Sequence, residues 1–171
     1  MLNNPLVKQT LVTMLLAAPP GLADPPHARV PVRGFGDWRL DCIAPPCVTR
    51  TGVRGADGSE VLRLTLIPGE PPVLAVSTVL PLYLPDGLAL AVGAEPPIAV
   101  PWRTCGPGGC EARLAVGPEL VQALRRERQA SVTFTPADGV PVRVGVSLVG
   151  YTAAGRARAA AQAAAGSTEK R

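Results

Sequence analysis

Pro101-Trp102-Arg103-Thr104-Cys105-Gly106-Pro107-Gly108-Gly109-Cys110-Glu111-Ala112-Arg113-Leu114 is the stretch whose reading decides the fold. Two cysteines enclose four turn-forming residues, apolar residues lie on either side, and a tryptophan precedes the first cysteine by three positions. Gly and Pro in this density reverse a chain, so the stretch reads as a pinned reversal between two strands. A second loop, Cys42-Ile43-Ala44-Pro45-Pro46-Cys47, repeats the pattern behind Trp38.

The whole chain fits that reading. Its 171 residues carry 20 prolines and 18 glycines, and only 4% are aromatic. Many short elements around an aliphatic core follow, rather than a helical bundle. Phe35 to Cys42 alternates, with Trp38, Leu40 and Cys42 on one side and Asp37, Arg39 and Asp41 on the other, which predicts a first strand. Leu62, Leu64 and Leu66 mark a second strand, after the turn signal Gly55-Ala56-Asp57-Gly58. Further strands are expected over 73–80, 88–92, 97–102 and 110–116. The pair 131–135 and 140–149, around Asp138-Gly139, is the clearest hairpin.

One short helix is expected after Gly117, because Pro118 suits the first helical position and Glu119 the positive helix end. The expected fold is therefore an all-β, antiparallel sandwich-like single domain over 35–154 with one short helix. Residues 155–171 are alanine-rich and read as a frayed surface helix or tail, disordered from Gly166 on.

Residues 1–23 read as a signal peptide: Lys8, an apolar run from Leu11 to Ala18, and small residues at Gly21 and Ala23, with cleavage expected after Ala23. A membrane anchor would need about 20 continuous apolar residues, and no later segment supplies them. A proline-rich arm would then occupy 24–34. Losing Lys8 lowers the formal charge from +4 to +3. So mild an excess, without interleaved aromatic and basic residues, excludes nucleic acid as the expected partner.

In an exported chain the four cysteines Cys42, Cys47, Cys105 and Cys110 are expected in disulfides. Four cysteines permit three pairings. Chain entropy favours the long link, since joining Cys42 to Cys105 would contribute about 4 kcal/mol against about 2 for each local loop. Geometry chooses partners, however, and each loop returns the chain to itself, so Cys42–Cys47 and Cys105–Cys110 are preferred to crossed pairs. A four-cysteine zinc site is the competing use, at the edge of the usual spacing and in the wrong redox compartment. No metal or other cofactor is expected. Redox and haem roles would need Cys-x-x-Cys or a following histidine, and neither loop has them.

The sole histidine, His27, sits on the arm, so a histidine-based nucleophile device is not expected. Asp37 with Asp41, or Glu111, is the remaining acidic chemistry, and a periplasmic hydrolase built on them is the alternative function. Such carboxylates are more often the wet face of a strand. The expected function is non-enzymatic: a binding or envelope-associated module with a protein partner, using an exposed strand edge or the rim formed by Trp102 and Arg103.

Four groups of residues carry a family resemblance: Gly36-Asp37-Trp38 before Cys42; Leu80-Pro81-Leu82 with Leu84-Pro85-Asp86-Gly87; Trp102-Arg103-Thr104-Cys105 with Gly109-Cys110-Glu111-Ala112; and Leu148-Val149-Gly150-Tyr151-Thr152-Ala153-Ala154. Together, over Phe35 to Ala154, they resemble the invasion-associated locus B family. The resemblance implies an exported protein of a Gram-negative bacterium, periplasmic or secreted, with a compact β-rich fold and no known enzymatic activity. It also implies a partner in the cell envelope or on a host surface. The sequence departs from the family in its short Cys42–Cys47 loop and in lacking a glutamine-containing run after Cys47.

Overall fold

A computed structural model describes residues 32–79 and 81–168. The signal peptide (1–23), the arm through residue 31, and Leu80 lie outside the described residues. The strands are β1 (Arg33–Phe35), β2 (Trp38–Asp41), β3 (Val48–Arg54), β4 (Glu60–Ile67), β5 (Val73–Thr78), β6 (Leu88–Val92), β7 (Ile98–Val100), β8 (Trp102–Gly106), β9 (Gly109–Ala115), β10 (Gln129–Phe134) and β11 (Val142–Ser147). Helix α1 spans Pro118–Arg126 and α2 spans Tyr151–Thr168. One sheet has seven strands in the order β1-β2-β3-β4-β5-β9-β8, and the other has four, β11-β10-β6-β7. Every pairing is antiparallel.

The alternating leucines explain how the sheets face one another. Leu62, Leu64 and Leu66 of β4 pair with Thr78, Val76 and Leu74 of β5. All three leucines join a core with Leu88, Leu90, Val92, Val132 and Val146 of the smaller sheet. Two buried threonines satisfy their hydroxyls on backbone carbonyls: Thr51 donates to the Asp37 carbonyl at 2.8 Å and Thr78 to the Val61 carbonyl at 2.7 Å. Helix α1 starts at Gly117 with Pro118 in its first turn and buries Ala123 and Leu124. Both cysteine loops close on themselves, Cys42 to Cys47 and Cys105 to Cys110.

Five sequence expectations are corrected. The first strand is two: Gly36, at φ +59°, and Asp37 turn the chain, and Phe35 then pairs with Trp38 across a tight hairpin. Arg33 and Gly34, assigned to the arm, belong to β1. The strand over 97–102 is likewise two. Pro101 lacks the N–H needed to continue a ladder, and the chain passes there from β7 in the small sheet to β8 in the large one. The strand over 73–80 ends at Thr78.

The C-terminal helix is present as expected, and the fifth correction concerns its bounds and its docking. Helix α2 begins at Tyr151, runs on through Gly166 to Thr168, and lies against the β1–β3 end of the large sheet and α1. Its first turn is what anchors it. Tyr151 and Ala154 are buried, and the Tyr151 ring meets Trp38 edge-on, with centroids 5.1 Å apart and planes at 76°. Trp38 in turn donates its indole N–H to the Ser147 carbonyl at 3.0 Å, and the Asp37 N–H reaches the Val149 carbonyl at 3.0 Å.

Gly150 is the backbone counterpart of this contact. It sits at φ +96°, and a Cβ there would run into the Phe35 carbonyl. We expect Gly150→Ala to lower stability by more than about 2 kcal/mol, since both the left-handed backbone and the close approach are penalised. Gly155→Ala should instead stabilise by about 0.5 to 1 kcal/mol, because that helical position faces open space. Urea unfolding of both variants checks this, and equal effects would refute the assignment. Removing the edge disulfide by Cys105→Ala/Cys110→Ala should cost about 2 kcal/mol, less than the 3 to 5 or so expected for Trp38→Ala. The reverse order in the same assay would show that the hairpin, not the Trp38 contact, dominates.

Candidate partner surface at the β8 edge

The residues singled out in the sequence fall into distinct places. Cys105 and Cys110 are directly opposed on β8 and β9, next to the Gly106–Gly109 pair that closes the turn. Cys110 is buried and Cys105 exposed. Strand β8 is the last strand of the seven-stranded sheet, so its outer backbone edge has no strand beside it. The register shifts between Trp102 and Thr104, leaving Arg103 in a bulge. Bulging and shortness both discourage indiscriminate edge pairing.

Trp102 pairs with Ala112 in a row that continues through Val76 and Leu64 to Thr51. Its half-buried ring packs against the core. Its Nε1 is buried without a hydrogen-bond partner, an uncommon state for an indole. Arg103, in the bulge, is exposed together with Thr104, Cys105 and Gly106. The two residues named as one surface thus divide: Trp102 braces the sheet edge from inside and Arg103 presents a charge outside.

The acidic residues do not assemble into one site. Asp37 lies in the β1–β2 turn. Asp41 is engaged through both oxygens, one 2.8 Å from Arg50 Nη2 and the other accepting the Ile43 N–H at 3.1 Å. Glu111 pairs with Arg113 at 2.6 Å. Four strand spacings separate β2 from β9 in the sheet order, which places Asp41 and Glu111 roughly 19 Å apart across the sheet. Glycosidase carboxylates work at about 5 to 9.5 Å. The zinc alternative fails because all four cysteines are consumed in disulfides, and no cluster of three or more potential ligands exists among the described residues.

The sequence places part of the basic excess at Arg125, Arg156 and Arg158 but not their gathering in one cleft. Arg125 of α1 and Arg156 and Arg158 of α2 line a common cleft with Tyr151. The arginines of α2 were assigned to a loose tail. The missed signal was the seven-residue spacing from Tyr151 to Arg158, two helical turns, which puts both on one face.

A search of curated proteins finds no match. Among solved structures, the crystal structure of invasion associated protein B from Bartonella henselae is similar, with a TM-score of 0.66 at 20% sequence identity, covering 77% of this chain and 97% of that one. At that identity the likeness speaks for the fold. A protein-family model described as "Invasion associated locus B (IalB) protein" matches residues 38–159, from the core tryptophan Trp38 through both disulfide loops into α2. The chain belongs to the invasion associated locus B family.

Proposed function

We propose that this protein is an exported, non-enzymatic binding module of the periplasm or cell surface, and that it meets a protein partner at the β8 edge. The observation that carries the proposal is the terminal position of β8, with Arg103 to Gly106 exposed and the hairpin held by a disulfide. A pinned edge is preorganised, so little ordering entropy is lost when an extended segment pairs with it. Arg103 supplies a charge that selects the segment, and Trp102 keeps the edge rigid. Family membership supports a place in the envelope, as do the disulfides, which belong to oxidising compartments. No helix among the described residues is long and apolar enough to cross a membrane. The name of the Bartonella relative links it to invasion; for this chain a host-surface partner is the corresponding reading.

The acidic hydrolase is the weaker reading, because its carboxylates are dispersed and two of the three are ion-paired.

A photo-activatable cross-linker at position 103, in cells making the protein with its leader, should give one dominant adduct in the envelope fraction. The same probe at Arg143, exposed on β11 of the other sheet, should not. Equal labelling at both sites would remove β8 from consideration. The hydrolase reading predicts a different result: activity on a panel of ester, glycoside and phosphate substrates that vanishes in a folded Asp37→Ala/Asp41→Ala variant. N-terminal sequencing of the exported protein should begin at Asp24, and a first residue within the apolar run 11–18 would show the leader boundary to be misplaced.

A further inference from the structure

The cleft between α1 and α2 has a volume of about 440 Å³ and a divided lining. Leu66, Pro72 and Val121 make the apolar part of the lining, and Arg125, Arg156 and Arg158 bring positive charge to it. The described residues hold three side-chain ion pairs, Arg50–Asp41, Arg63–Glu60 and Arg113–Glu111, and none involves these arginines. Arg158 is the unusual member. Its Nε and Nη1 are both buried and have no hydrogen-bond partner among the described residues. Burial pushes its guanidinium below the ordinary arginine range, and Tyr151 is the group that acts in the opposite direction. Tyr151 cannot neutralise it, because burial pushes the phenol up from its usual value and keeps it uncharged at neutral pH.

Two buried guanidinium donors without a partner leave the charge of Arg158 uncompensated, and arginine is the side chain best suited to pair with an oxyanion. We propose that this cleft binds a small organic oxyanion, its charged end held by Arg158 and Arg125 and its apolar portion resting on Leu66, Pro72 and Val121. Arg156 stands exposed at the mouth and draws the anion in. Thr152 adds a hydroxyl to the lining. The site shares no residue with the β8 edge and stands whether or not that edge binds a partner.

The source of the oxyanion is either a free small molecule or the headgroup of an anionic lipid, since both present the same chemistry. Titration calorimetry of the full exported protein with inorganic phosphate and with hexyl phosphate tests the site. Both should bind at one site per chain, and hexyl phosphate more tightly, because only it reaches the apolar part of the lining. Arg158→Met should weaken both by about tenfold or more, the loss expected for a charge-assisted pair. Arg125→Met should weaken them less, Arg103→Met not at all, and Arg158→Lys should recover part of the loss. Should Arg158→Met fail to fold, Arg125→Met and Arg158→Lys carry the same comparison. Recruitment to phosphatidylglycerol vesicles that hexyl phosphate reverses would name lipid as the source; hexyl phosphate binding without recruitment would name a soluble ligand. Absence of saturable binding by either probe, or binding indifferent to Arg158→Met and Arg125→Met, would overturn the proposal.

Discussion

The contact between the Gly36-Asp37-Trp38 turn and the Leu148 to Tyr151 segment is the constraint on which the rest of the structure depends. Trp38 belongs to the large sheet, yet its indole N–H is bound to the Ser147 carbonyl of the small one. Its ring supports Tyr151, the first residue of α2. Gly150 lets the two backbones approach so closely that no side chain fits between them. One tryptophan therefore joins two sheets and a helix, and the beginning of the domain to its end. Such long-range closure stabilises only if every participant is in place, so the two motifs act as a unit.

At the opposite edge of the large sheet the device is different. Pro101 ends the hydrogen-bonding ladder of β7, and the chain crosses to the other layer to begin β8. A five-residue edge strand with a bulge has little to hold it. The disulfide to Cys110, which like Ala112 is buried on β9, ties that edge to the rigid interior. The same link leaves Arg103 facing outward on a strand that cannot fray. Sulfur here stabilises a surface rather than the core, which is already well supplied with leucine and valine.

The charges sort in a similar way. Carboxylates on the large sheet are spent on nearby arginines at the surface, where such pairs contribute little to stability. Among the described residues the arginines between the helices form no ion pair, and Arg158 is partly withdrawn from water. A fold does not define a function; among the described residues the guanidinium with buried, unpartnered donors is that of Arg158.

Much of the architecture was legible because it rests on local rules. Alternation placed β4 and β10, Asp138-Gly139 marked the hairpin between β10 and β11, and Gly117-Pro118 opened α1. The turn residues between each pair of cysteines were enough to favour local disulfides. What the sequence alone determined was thus the local geometry of strands and turns, together with the family, whose motifs are local too. Where β2 begins was not legible, since Gly36 reads as a strand residue until Val149 is known to lie above it. Nor was the division at Pro101, because nothing local says that the next strand joins the other sheet. Most of all, an alanine-rich segment with no apolar stripe looks unable to dock, and Arg158 looks solvated. Only the tertiary structure decided otherwise: Tyr151 is pinned by Trp38, from 113 positions earlier in the chain. Once that first turn is fixed, helical geometry carries Arg158 to the cleft that Arg125 also lines.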